Sequence, residues 1–287
     1  MCAHTSQPVT YLKNILDIPQ DLLFIISQSF LSIEIDVLNQ VASGTVTKES
    51  SDSEVFRKLS AQRFILKSGN GYKLASPHDF LGNFILFHRD SIEDKYIGEF
   101  DRFFSEGIFE HHVVTYKEAR LIAEEAPGYW VIDCVCRVLN QNCGHPRKVC
   151  MGLAKTYQFE GARQISKSEA LDVIKSAEES NLAATFIDSD NGDGWFCFCC
   201  GCCCVPVRQF ISSGKSVVRG KFKELTDHKL CTACGDCVEV CQFSARSIVE
   251  NDIFVNEGLC TGCGICVDDC SAQAISLIPR GNAFSEN

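Results

Sequence analysis

A four-cysteine run occurs twice in the last quarter of this chain, and it limits the possible folds more than any other feature. Cys231-Thr-Ala-Cys234-Gly-Asp-Cys237-Val-Glu-Val-Cys241 has the spacing C-x2-C-x2-C-x3-C. Cys260-Thr-Gly-Cys263-Gly-Ile-Cys266-Val-Asp-Asp-Cys270 has it again, at an offset of 29 residues. The same alignment pairs Thr232 with Thr261, Gly235 with Gly264, Val238 with Val267, Ala245 with Ala274 and Ser247 with Ser276. It is a duplicated half-module. Cysteine on this scale means either a disulfide framework or metal binding.

The rest of the composition chooses between them. The chain holds 19 cysteines, where roughly 4–6 are expected at ordinary usage. All but Cys2 lie between Cys134 and Cys270. Met1 to Thr10 has no basic region leading into an apolar core, so no secretory leader is expected. A membrane span needs about 20 apolar residues. The longest candidate, Leu22 to Leu31, is broken by Ser27, Gln28 and Ser29. The expected setting is therefore the reducing cytoplasm, where thiols bind metals rather than pair. The formal charge of −10 gives no general attraction for nucleic acid or anionic lipid.

The spacing of the runs has a physical cause. A cubane cluster offers four iron corners, each needing one thiolate. Cysteines three apart on a tight loop reach three corners of one cube. Gly235 and Gly264 let the backbone turn closely and aim N–H groups at the sulfides. The fourth cysteine follows a short gap and points toward the other cube, so in a two-cluster arrangement each run completes its neighbour. Cys231, Cys234, Cys237 and Cys270 would then hold one [4Fe–4S] cluster, and Cys260, Cys263, Cys266 and Cys241 the other. Zinc prefers two separated C-x2-4-C pairs. Over about 55 residues the sequence resembles the bacterial two-cluster ferredoxins. It departs from them after the fourth cysteine, where the family usually has proline and this chain has Gln242 and Ser271.

Ten further cysteines precede the module. Cys134-Val-Cys136-Arg137, Cys143 and Cys150 form one group, and Cys197-Phe-Cys199-Cys200-Gly-Cys202-Cys203-Cys204 the other. A third iron–sulfur cluster, a structural zinc, and reactive thiols or a disulfide relay are all open here. Cys134, Cys136, Cys143 and Cys150 are the favoured ligand set, because their intervals let a loop wrap a metal. Arg137 is expected to carry a salt bridge, the alternative being a hydrogen bond to a cluster sulfide; His145 is expected to be a loop residue, the alternative being a further ligand; and His111 and His112 are expected to lie at a surface or interface. These patterns resemble a family of poorly characterised iron–sulfur proteins of anaerobic bacteria and archaea. Its members pair a CxCR segment and a CNCCxCC-like segment with a ferredoxin module, often behind a winged-helix-like N-terminus. The resemblance implies redox work without naming a reaction.

The expected fold is α+β. Residues 1–109 form a helical, winged-helix-like domain. Helical apolar spacing covers Asp21–Phe30 and Ile33–Ala42, and Ser51 with Glu54 reads as a capping box. A hairpin turns at Ser68-Gly-Asn-Gly71, and amphipathic helices follow through residues 80–110. Residues 110–205 form a cysteine-rich α/β domain. Its helices open at the capping boxes Thr115/Glu118 and Ser166/Glu169, and its strands include Tyr129–Ile132 and Ala184–Ile187. Residues 206–223 read as a linker, 224–280 as the two-cluster ferredoxin-like domain, and 281–287 as a flexible tail.

The chain has no C-x3-C-x2-C run, no G-x4-G-K-S/T loop, no G-x-G-x-x-G after a strand, and no C-x2-C-H haem site. The expected function is that of an electron-transfer protein or redox subunit. Its partners are redox proteins, with no membrane, and Asp236, Glu239, Asp268 and Asp269 would favour a basic docking surface. Two alternatives stand beside it. One is a redox-responsive DNA-binding regulator, with Arg57, Lys58 and Arg63 near phosphates. The other is a component of a larger reductase whose substrate site lies at the middle cysteines.

Overall fold

The computed structural model describes residues 16–106, 110–157, 159–188 and 194–281. The expectations for Met1–Thr10 and for most of the 281–287 tail lie outside these residues. The chain divides into two compact units. The first takes the chain up to residue 107 together with residues 138–140 and 157–162, and the second takes the rest.

In the first unit, α1 (Gln20–Ser29) and α2 (Ser32–Ser43) follow the apolar spacing and bury Leu22, Ile26, Leu38 and Val41. Glu34 is buried at the start of α2, where it accepts the Leu31 N–H at 2.8 Å and pairs with Lys58 at 2.8 Å. Next come α3 (Lys48–Ser51) and α4 (Glu54–Ala61). The cap of α4 is Ser53, whose Oγ accepts the Phe56 N–H at 3.1 Å, and not the expected Ser51. Ser51 belongs to the preceding turn, where its hydroxyl bonds the Lys48 carbonyl at 3.0 Å.

Strands β1 (Ile65–Ser68) and β2 (Gly71–Leu74) form the hairpin, closed by the pair Ser68–Gly71 with Gly69 at φ +58°. Helices α5 (Pro77–His88) and α6 (Ile97–Ser105) complete the unit. Its core is aromatic: Phe64 and Phe80 are 4.8 Å apart, Phe30 meets Phe64 edge-on at 5.1 Å, and Phe84 stacks on Phe100. The apolar faces of residues 80–105 are thus core packing.

The second unit is built on a seven-stranded sheet. Its strands are β3 (His111–Val113), β4 (Tyr129–Ile132), β5 (Cys150–Leu153), β6 (Arg163–Ile165), β7 (Ala183–Asp188), β8 (Gly194–Cys199) and β9 (Val217–Val218), in the order β6-β4-β5-β8-β7-β3-β9. All neighbours are antiparallel except β3 and β9. Between strands run α7 (Tyr116–Glu125), α8 (Val135–Asn140) and α9 (Lys167–Glu179).

The capping boxes of α7 and α9 form as the sequence implies. Thr115 Oγ1 accepts the Glu118 N–H at 3.2 Å, and Glu118 returns the bond to the Thr115 N–H at 3.0 Å. Ser166 and Glu169 do the same. These helices bury small residues, Ala119, Ala123, Ala170 and Ala177, so they lie close over the sheet core of Met151, Phe196 and Phe198.

Residues 206–223 are folded: α10 (Val205–Ser213), β9 and the start of β10 (Phe222–Thr226) lie in them. The module then alternates short elements, α11 (Asp236–Glu239), β11 (Arg246–Val249), β12 (Asp252–Val255), α12 (Ile265–Asp268) and β13 (Ile275–Pro279). Strand β10 pairs with β13, and β11 with β12. Helices and strands are mixed throughout, an α+β architecture.

Candidate metal centres

The two cysteine runs of the module adopt the same loop. Gly235 and Gly264 precede α11 and α12 with φ of +93° and +90°. Two residues earlier, Ala233 and Gly262 are also left-handed, at +54° and +76°. At Gly262 a Cβ would collide with the Phe222 carbonyl oxygen, so the loop closes only with glycine there.

This turn draws each triplet around one space. Cys231, Cys234 and Cys237 line a cavity with Cys270 from the other run. Cys263 and Cys266 lie in the electrostatic reach of Cys260 and of Cys241 from the first run. Burial, with these sulfurs beside them, pushes the thiols of Cys263 and Cys266 up to about 11 and about 12. Backbone N–H groups donate to sulfur at Ala233→Cys231 (3.4 Å), Ala245→Cys241 (3.3 Å) and Ala274→Cys270 (3.3 Å). Four soft donors around one cavity, with N–H groups on their sulfurs, fit an iron–sulfur cube.

Arg246 enters this region from β11. It is 5% exposed and bonds Glu224, Thr226 Oγ1 at 3.3 Å and Cys237 Sγ at 3.5 Å. Its charge also acts on Cys266.

The middle cysteines separate into two groups that local spacing did not separate. Cys143 lies with Cys200, Cys202 and Cys203, and all four sulfurs are within 4.8 Å of one another. Cys134 instead contacts Cys136 and Cys150. From these the contacts run on, Cys150 to Cys197 and Cys136 to Cys204, and Cys204 in turn meets Cys199.

Sheet register explains the split. Ile132 on β4 faces Cys150 on β5, and Met151 faces Phe196 on β8. Cys150 therefore comes level with Cys197, on the face opposite Phe196 and Phe198. Cys134 and Cys136 reach that face from the start of α8. Cys143 lies beyond α8 and meets the turn that follows β8.

His145 is not one of the four; its backbone N–H bonds the Cys143 sulfur. His111 is buried rather than superficial, and its Nδ1 lies 3.1 Å from Thr185 Oγ1. His111 and Thr185 also reach Cys199; the Cys204 thiol first, and then these two, bring the Cys199 thiol down to about 5 against the opposing effect of burial. Arg137 has no salt bridge among the described residues. It is buried, donating to the carbonyls of Phe198 (2.7 Å) and Pro146 (3.1 Å), and its guanidinium bonds Cys200.

Sheet and module are tied together around these sulfurs. Gln242, which stands where the ferredoxin pattern has proline, accepts the Gly201 N–H at 2.8 Å and donates to the Asn181 carbonyl at 2.7 Å. A Cβ on Gly201 would meet the Gln242 carbonyl oxygen at 2.7 Å. Phe243 packs edge-on against Phe210 of α10, and Gly220 N–H bonds the Thr261 carbonyl at 2.8 Å. Buried Tyr116 stands in the field of Cys263 from the module and Cys199 from the sheet.

Residues 230–275 match the family model of the 4Fe-4S dicluster domain. The match spans both cysteine runs. The chain therefore carries a ferredoxin-type iron–sulfur domain alongside a separate cysteine cluster suited to metal. No curated protein matches the chain. Among the described residues, no helix is long and apolar enough to cross a membrane.

Proposed function

We propose that this chain is an iron–sulfur electron-transfer protein or redox subunit with two [4Fe–4S] clusters on its module. Cys231, Cys234, Cys237 and Cys270 would hold one, and Cys241, Cys260, Cys263 and Cys266 the other. The carrying observation is the dicluster-domain match over eight thiols that gather in two sets. Bound there, the clusters supply one-electron storage at potentials set by charge, hydrogen bonds and solvent access. The chain's own part is to hold them, to donate N–H groups to their sulfurs, and to put the Arg246 charge beside both sets.

An electron carrier needs an approach for its partner. Cys234 is exposed, and Leu230, Ile248, Val249 and Phe254 of the module are exposed apolar residues. Asp236 and Glu239 on α11 are exposed beside the first run. Exposed apolar side chains with acidic neighbours favour a redox protein with a basic rim.

For the winged-helix-like N-terminal unit, protein contact is favoured over nucleic acid. Lys58 is paired with Glu34, and Arg63 lies over the Tyr157 ring at 4.9 Å, so two of the three candidate phosphate contacts are engaged.

Protein purified without oxygen, assayed for iron and acid-labile sulfide and examined by low-temperature EPR after reduction, tests this reading. Two interacting cubane signals are the expected result. An iron-free chain after careful reconstitution would end it.

A further inference from the structure

We infer that Cys143, Cys200, Cys202 and Cys203 form a closed mononuclear site, four thiolates around one zinc- or iron-class divalent ion, and not a third cubane.

Distance is the first ground. Metal–thiolate bonds of about 2.3 Å in a tetrahedron put neighbouring sulfurs about 3.8 Å apart. Cys143 and Cys203 have their sulfurs 3.5 Å apart, and the whole set lies within 4.8 Å. A cubane holds its thiolates wider, because each lies one bond outside a different iron corner. The same chain shows the contrast: among the described residues, no other set of three or more such ligand atoms is drawn so close, the eight module cysteines included.

Charge is the second ground. Four thiolates on a divalent ion leave two negative charges. Arg137 is 2% exposed, and among the described residues no carboxylate forms a salt bridge with it. Its Nε has no hydrogen-bond partner among them. A buried guanidinium without a counter-charge is costly. Its guanidinium stands beside Cys134 first and also bonds Cys200, so a metal-bound thiolate set that includes Cys200 would add to its counter-charge.

Local structure is arranged to fit. The Gln242 side chain and the tight approach at Gly201 fix the turn carrying Cys200, Cys202 and Cys203. Cys143 closes the site from the loop after α8, with the His145 N–H on its sulfur. Four protein ligands leave no open position for a substrate, so the ion would lock the turn against the α8 loop.

The test uses the full chain, purified without oxygen, with zinc, iron and acid-labile sulfide measured for wild type, Cys143→Ala and Cys203→Ala. The expected result is that each variant loses one ion per chain while sulfide and the module's EPR signals stay unchanged. Whether zinc or iron is lost identifies the occupant. Loss of a cubane's iron and sulfide together overturns the inference, and so does no loss of metal. If the variants fail to fold, X-ray absorption on wild type decides. A zinc-edge shell of four sulfurs at about 2.3 Å with no metal–metal scattering, or, where zinc is absent, one iron per chain in excess of acid-labile sulfide, supports a mononuclear site. Finding no zinc, and no iron beyond the sulfide count, rejects it. Wild-type protein lacking the module signals would fail the electron-transfer reading and leave this one standing.

Discussion

Arg246 puts a fixed positive charge between two sets of thiols, and reduction of a cluster adds negative charge there. The guanidinium therefore favours the reduced state, partly offset by its own partner Glu224. Arg246→Gln should move the module's reduction potentials downward, by on the order of 100 mV or less at an effective dielectric near 20. An EPR-monitored redox titration reads this, and an unchanged or raised potential contradicts it. His88 gives a prediction of another kind. It is held among Phe30 and Phe84, with Nε2 buried and unpartnered among the described residues. Burial lowers its pKa, Glu34 opposes this and Lys58 adds to it. The unfolded chain takes up the proton first, below about pH 6.5. Stability from neutral His88 is thus complete above that pH and is lost as pH falls toward the lowered folded pKa. Melting curves at pH 7.5 and 5.5 should show a larger drop for wild type than for His88→Phe. At this scale the sequence was half legible. The module cysteines announced themselves, while Arg137 reads as a salt-bridge partner or a donor to sulfur, because nothing in Cys-Arg-Val tells that the side chain is buried beside thiols.

Among the elements, those with local causes were the readable ones. The boxes at Thr115 and Ser166 need only residues three apart, and both formed. Thr115→Ala should cost about 1 kcal/mol, measurable by denaturant unfolding. The cap of α4 was misplaced by two residues because Ser51 and Ser53 compete within one turn, and the short α3 takes the first. Residues 206–223 looked like a linker because β9 has only two residues and β10 pairs with β13, some fifty residues on, so neither carries a pattern of its own. The grouping of the middle cysteines was hidden for the same reason. It depends on which strand lies beside which, and Cys200-Gly-Cys202-Cys203, compact enough to turn around one ion, was the available signal. Gly262→Ala is the sharpest element-level test. Its Cβ meets a carbonyl oxygen at a left-handed φ, so it should cost several times the Thr115 cap and lower iron retention. Unchanged iron content and melting temperature would contradict the loop geometry.

Across the second unit, the two thiol sets of the module, each drawn from both runs, differ in surroundings. Cys241 and Cys263 pack against the large core of the sheet with Phe243 and Ile265. Cys231 and Cys270 pack against a small core with Ile253 and Ile275, and Cys234 is exposed. A mild chelator under air should therefore remove iron in two phases, the Cys231 set first. EPR of partly treated samples would identify the survivor, and equal rates would contradict this.

The two halves arose as copies, and copies bound to identical cofactors would give a carrier whose ends are interchangeable. Gln242 ends that equivalence. Its partner in the repeat is Ser271, which is exposed, whereas Gln242 reaches Gly201 and Asn181. One amide thus gives the module an inside and an outside. That structural polarity is one that the duplicated sequence alone does not contain.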